Sequence, residues 1–101
     1  SISYISDCQD ASDPDLNSIA NGVFGGLSDI TYDSKEDMEF RRREAKRILA
    51  HGKVDGVPTY IDLLVFKKNR CIYVLTYVSL SMTYKENKKN FDQFIEGFNP
   101  P

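Results

Sequence analysis

One histidine, two cysteines and a net charge of −2 are all that this chain of 101 residues offers to several common chemistries. Each scarcity excludes something. A zinc site needs three or four clustered ligands, and His51, Cys8 and Cys71 do not supply that spacing. Strong attraction to nucleic acid or to an anionic membrane surface draws on a basic excess, and 13 Lys and Arg stand against 15 Asp and Glu. No apolar run approaches the ~20 residues of a bilayer span, so membrane contact would come only through a lipid anchor upstream. A phosphate loop is missing too. Asn21-Gly22-Val23-Phe24-Gly25-Gly26 closes a helical pattern and has no following Lys-Ser/Thr. The length suits a single domain. The opening at Ser1, directly in a strand pattern, reads as an N-terminally trimmed part of a longer protein.

What the sequence does hold is a three-strand meander: Ala45–Val54, Val57–Phe66 and Cys71–Leu80. Asp55-Gly56 between apolar residues predicts a type I′ hairpin, since that turn needs φ > 0 at both central positions. The second turn falls at Lys68-Asn69 or across Lys67–Arg70. A two-residue loop fixes register: Val54 opposite Val57, Ala50 opposite Ile61, Ile48 opposite Leu63. Around the second turn the reading is Phe66 opposite Cys71, Val65 opposite Ile72, Leu63 opposite Val74 and Thr59 opposite Val78. One face then collects aliphatic residues such as Ile48, Ala50, Ile61, Leu63, Val65 and Val74. The other is mixed, with Tyr60, Asp62, Tyr73, Tyr77, His51 and Arg47. Neither face alternates cleanly enough with polar residues to be fully wet. The expected fold class is therefore α+β: a central antiparallel sheet sandwiched between N- and C-terminal helices.

The flanks fill in this scheme. Ser1–Cys8 alternates as a strand. A helix begins at Ser12 or Asp13, with Pro14 in its first turn and Asp15 complementing its dipole, and ends near Phe24 with a left-handed glycine. Leu27–Asp37 reads as a connector with a short extended piece at Ile30–Tyr32. Ser34–Ala50 fits a helical stripe or a strand. The strand is preferred because Val57–Phe66 needs a hairpin partner, which gives a short strand at Met38 to Phe40 and a turn at Arg41–Arg43. Thr83-x-x-Glu86 opens the last helix, Tyr84–Phe98. Its stripe of Phe91, Phe94, Ile95 and Phe98 is assigned to the aliphatic face, leaving the N-terminal helix for the tyrosine face.

Candidate chemistry is sparse. His51 shares a face with Asp62 and Cys71, which is the one way to draw a hydrolase, but a lone histidine opposite Tyr60 reads more simply as a rim residue hydrogen-bonded to a neighbour. Asp7, Asp10, Asp13 and Asp15 lack the glycine and terminal glutamate of a calcium loop and read as a capped helix start. Arg41, Arg42 and Arg43 form a candidate patch for an anion or an acidic partner, although Glu36, Asp37, Glu39 and Glu44 nearly cancel it. Tyr60, Asp62, Tyr73, Tyr77 and His51 form the candidate ligand or partner face. No cofactor and no catalytic set is called for. Cys8 and Cys71 form either one bridge or two separate buried thiols.

Three stretches carry a family resemblance: Gly52-Lys53-Val54-Asp55-Gly56-Val57-Pro58, Lys67-Lys68-Asn69-Arg70-Cys71-Ile72-Tyr73, and Phe91-Asp92-Gln93-Phe94-Ile95-Glu96-Gly97-Phe98. With Ser1–Cys8 they resemble the C-terminal two-thirds of a group of uncharacterised bacterial lipoproteins similar to the PsbP-like superfamily. Those proteins usually carry glycine in the turn where this chain has Arg41–Arg43, and an acidic residue where it has Val74. The resemblance implies an α/β/α sandwich and accessory or binding roles. It also implies an exported protein, periplasmic or membrane-anchored, with the cytoplasm left open, and so favours the Cys8–Cys71 bridge. The resulting expectation is a non-enzymatic binding module for an unidentified protein or small ligand. The alternatives are a small-ligand carrier using Tyr60, Tyr73 and Tyr77, and a cysteine/histidine hydrolase.

Overall fold

The computed structural model describes residues 2–8, 15–68, 71–81 and 84–98. In chain order these form β1 (Ile2–Asp7), α1 (Leu16–Phe24), β2 (Ser28–Phe40), β3 (Arg43–Val54), β4 (Val57–Lys68), β5 (Cys71–Leu80) and α2 (Tyr84–Gly97). All five strands join one antiparallel sheet in the order β1-β5-β4-β3-β2.

The first hairpin has the register its sequence dictates. Val54 lies opposite Val57, Ala50 opposite Ile61 and Ile48 opposite Leu63. Asp55 and Gly56 both have positive φ, 50° and 82°, as a type I′ turn requires. The second hairpin corrects the expected pairing by two residues. Val65 faces Val74, Leu63 faces Thr76 and Thr59 faces Leu80, because β4 runs on to Lys68, opposite Cys71. A slip of two leaves every side chain on its expected face.

The largest correction concerns architecture. The molecule is not a helix-flanked sandwich. It is mostly a five-stranded antiparallel sheet with two short helices. The helices have only 9 and 14 residues, against five strands that reach 13 residues. The edge strands β1 and β2 stay largely exposed. The helices also dock on the faces opposite to those expected. Leu16, Ala20 and Phe24 of α1 pack on Ile48, Ala50, Ile61, Leu63 and Val65. Phe91 and Ile95 of α2 join Leu64, Phe66, Tyr73, Leu75 and Tyr77 on the aromatic face. Register says which residues share a face. It does not say which helix lands there, and here the ring-rich helix sits on the ring-rich face.

The connector expected at Leu27–Asp37 is instead the first ten residues of β2. Only Phe40 of its 13 residues is buried, and apolar alternation is confined to Ile30–Tyr32 and Met38–Phe40, the two pieces read as extended from the sequence. Its pairing with β3 shifts between Ser28 and Thr31 and between Tyr32 and Ser34, and Asp29 takes a φ of 51° in the first irregularity. Gly52 is required there. A Cβ at that position would meet the Ser28 carbonyl oxygen at 2.6 Å.

The turn between β2 and β3 is Arg41-Arg42, with φ of 51° and 67°. These are glycine-like conformations held by two bulky residues, at a cost of about 1 kcal/mol or more each. The start of α1 also differs from expectation. Its cap is Asp15, whose Oδ1 accepts from the Ser18 backbone N–H at 2.7 Å, a bond that holds the carboxyl below its ordinary pKa. Gly25 at the other end is right-handed, with φ −61°, so the expected left-handed cap is not formed there. Ser12, Asp13 and the Thr83 capping box lie outside the described residues.

Cys8, just after β1, is bonded to Cys71, the first residue of β5. The bond ties together two strands that are neighbours in the sheet and 63 residues apart in sequence.

Candidate functional site

Three neighbouring elements bring charge into the aromatic face. Arg47 projects from β3 and Asp62 from β4, on the α2 side. The two are diagonal neighbours, since Arg47 lies opposite Leu64 and Asp62 opposite Leu49. Arg47 Nε donates to Asp62 Oδ1 at 3.1 Å and its Nη2 to Oδ2 at 2.9 Å. The same Nη2 donates to Asp92 Oδ1 on α2 at 2.9 Å. Asp62 is only 2% exposed, whereas the Asp92 carboxylate reaches solvent. The guanidinium lies 5.4 Å from the centre of the Phe91 ring, which adds a cation–π contact.

This arrangement shifts proton affinities. Burial opposes the Arg47 charge, but the hydrogen bonds and charges of Asp62 and Asp92 outweigh it and hold the guanidinium above its ordinary pKa. Tyr84, at the start of α2, places its hydroxyl 3.5 Å from Asp62 Oδ2. Burial, reinforced by the Asp62 charge, pushes the Tyr84 hydroxyl up to about 12.

An open cleft of about 320 Å³ gives access to the cluster, with Ser34, Glu36 and Lys88 adding to Arg47, Asp62 and Asp92 along its walls. Behind it runs a ladder of rings. His51 stands 5.1 Å from Tyr60, Tyr60 stacks on Tyr84 at 4.6 Å, and Tyr84 lies 6.0 Å from Tyr77. A second cleft, of about 410 Å³, opens beside the start of α1, between Asp15, Arg43, Glu44, Lys46 and Lys67. It lacks a buried charge, and its cap carboxylate is already committed to Ser18.

The sequence-selected residues divide sharply. Tyr60, Asp62, Tyr73, Tyr77 and His51 do share one face, but Tyr73 and Tyr77 are 3% and 4% exposed beneath α2. Asp62 is the member at the cleft. His51 pairs through Nδ1 with Asp33 Oδ2 of β2 at 2.7 Å. It is far from Cys71. Their partners on β4, Tyr60 and Lys68, are eight residues apart, roughly 27 Å along a strand. Cys71 also has no free thiol, so the two form no nucleophile–base pair. The Arg41–Arg43 patch does not converge outward. Arg41 Nε donates to the Phe98 carbonyl at 3.0 Å and its Nη2 to the Glu96 carbonyl, at the negative end of α2. Arg43 Nη1 donates back to the Arg41 carbonyl at 2.9 Å, and Arg42 is exposed. Among the described residues, no three His, Cys, Asp or Glu side chains gather in a way that would hold a metal ion. Asp10 and Asp13 lie outside them.

Sequence reasoning places Arg47 on this face and counts it, with Lys46, in the basic cluster around Arg41–Arg43, not as the partner of Asp62, and it misses Tyr84, Asp92 and Asp33. For Arg47 a signal was present: an opposite charge diagonal to Asp62 on an otherwise apolar face. For Tyr84 and Asp92 the only signal was helical spacing, and that helix had been assigned to the other face.

No family model matches the chain, and no curated protein matches it. A crystal structure of a Pseudomonas aeruginosa protein of unknown function, described as a candidate regulator, is similar over 99% of this chain and 73% of its own. Its TM-score is 0.78 and the two sequences are 10% identical. At that identity the likeness concerns the fold alone.

Proposed function

We propose that this chain is a non-enzymatic binding module of an exported protein, and that it holds a polar group of its partner or ligand in the Arg47 cleft. The observation that carries this reading is the Arg47 fork, fixed by three hydrogen bonds at the mouth of an open cleft. Such a fork is already ordered before anything binds, which lowers the entropy cost of recognition. Charges of both signs line the opening, suiting a zwitterionic or hydrogen-bonding group. The Cys8–Cys71 bond supports export, because disulfides persist in oxidising compartments and are rare in reducing ones.

The test is an amide-shift titration of the oxidised protein with a library of small zwitterionic and polar fragments. Binding should move the signals of Ser34, Glu36, Lys88 and Asp92 together, and Lys88→Ala should weaken it. Absence of any hit, or hits that map elsewhere, overturns the assignment. The carrier reading makes a different demand. With Tyr73 and Tyr77 sealed under α2, a carrier must lift that helix, so a ligand that shifts Tyr73 and Tyr77 with the whole of α2 would favour it instead. Export is tested by trapping thiols in the producing cell, where the mature chain should be recovered oxidised.

A further inference from the structure

The two edges of the sheet are chemically unlike. β2 carries Asp29, Asp33, Lys35, Glu36, Asp37 and Glu39, and its pairing is broken by two irregularities. Charges and bulges are the usual means by which an edge is kept from pairing with another strand. β1 has neither. From Ile2 to Ser6 it has no charged residue, and its pairing with β5 is regular throughout. In an antiparallel ladder, every second residue of an edge strand directs its N–H and C=O away from its neighbour. Among the described residues no strand lies on that side of β1. Tyr4 is 56% exposed and Ile5 65%. The bond at Cys8 pins the end of the strand, so the edge is already ordered.

We propose that β1 is a self-association edge, pairing antiparallel with β1 of a second copy to make a continuous ten-stranded sheet. The geometry restricts the register. A two-fold axis normal to the sheet keeps each face on its own side, so paired residues must have the same parity and the central residue faces itself. Using all of Ile2–Ser6 centres the pair on Tyr4. Tyr4 then lies opposite its own copy, Ile2 opposite Ser6, and Ser3 opposite Ile5. The two Ile5 side chains become diagonal neighbours and cover each other. No like charges meet, whereas the same operation on β2 would bring an acidic strand against itself. On the other face, Tyr4 already packs edge-on against Phe98, with ring centres 5.2 Å apart, and the second tyrosine extends that contact. This inference is independent of the Arg47 cleft, which lies on the far side of β4 from β1.

A pair five residues long spans about 17 Å and belongs to the small, transient class of interfaces, below about 1,200 Å². The dissociation constant should be on the order of 100 µM. Sedimentation equilibrium of the oxidised protein from about 10 µM to 1 mM is expected to show the average mass climbing from one chain toward two. Tyr4→Lys places like charges on the axis and should weaken the association at least tenfold. Ile5→Lys, on the opposite face and away from Phe98, should do the same. Thr31→Lys on β2 should leave the dimer intact. Far-UV circular dichroism and an intact Cys8–Cys71 bond show that each variant is folded. A single-chain mass at every concentration overturns the proposal, and so does a dimer that survives both Tyr4→Lys and Ile5→Lys.

Discussion

On one face of the sheet Ile48 lies opposite Leu63, under Leu16 and Ala20 of α1. One residue earlier, on the other face, Arg47 lies opposite Leu64 and reaches across to Asp62 and Asp92. The first contact is non-directional burial, worth about 25 cal/mol per Å² of apolar area, and a similar side chain can replace another at small cost. The second is directional, and each partner depends on the others. Because a buried ion pair often contributes little net stability relative to a well-packed apolar pair, the Arg47 cluster is a poor means of holding the fold and a good means of fixing one geometry at a cleft. That asymmetry is why the functional assignment falls on the α2 face and not on the aliphatic one.

Four measurements sharpen or break the contrast. Arg47→Met should have the largest effect, about 3–5 kcal/mol in urea unfolding, because it leaves the Asp62 carboxylate buried without its partner. Arg47→Met combined with Asp62→Leu should recover most of that loss. If the double variant is no better than the single, packing and not charge explains Arg47. Gly52→Ala comes next, at about 1–3 kcal/mol, since the added Cβ meets the Ser28 carbonyl and forces β2 away. Its amide-shift changes should centre on Ser28 to Thr31. Ile48→Val on the aliphatic face should cost only about 0.5–1.5 kcal/mol, and a loss rivalling that of Arg47→Met would erase the distinction between the faces. The last effect is absent at neutral pH and appears only in alkali. The folded state keeps the Tyr84 proton up to a pKa of about 12, while an unfolded tyrosine releases it near 10. Between those values the unfolded state binds fewer protons, so stability must fall as pH rises. Below pH ~10 Tyr84→Phe should leave the pH dependence unaltered, and above it the variant should decline less steeply than the parent.

The sequence was most legible where one local rule decides the outcome. Asp55-Gly56 permits only one kind of hairpin, and Val54–Val57, Ala50–Ile61 and Ile48–Leu63 follow from it. Legibility failed where the controlling interaction is remote. Ser28–Phe40 shows apolar alternation only at Ile30–Tyr32 and Met38–Phe40, the two short pieces the sequence marks, because the exposed edge between them is polar and hides their continuity. Arg41-Arg42 lacks the glycine its conformation favours, and the compensation comes from carbonyls at Glu96 and Phe98, more than fifty residues away. Asp62 was recognisable as a charge on an apolar face. Its partners Tyr84 and Asp92 were not, because stripe residues on a helix do not reveal which of two sheet faces will receive it.

The place of β1 has a kinetic consequence. β2 to β5 succeed one another in the chain and in the sheet, so each can add through a short loop. β1 must instead find β5 across almost the whole intervening chain, paying a loop-closure entropy that the other strands avoid. On this ground its edge is expected to form after the meander, with the Cys8 and Cys71 thiols meeting once β5 is in place. During refolding under oxidising conditions, loss of free thiol should lag behind hydrogen-exchange protection of β3 and β4. The disulfide thus acts as a marker of completion, recording that the last strand has closed.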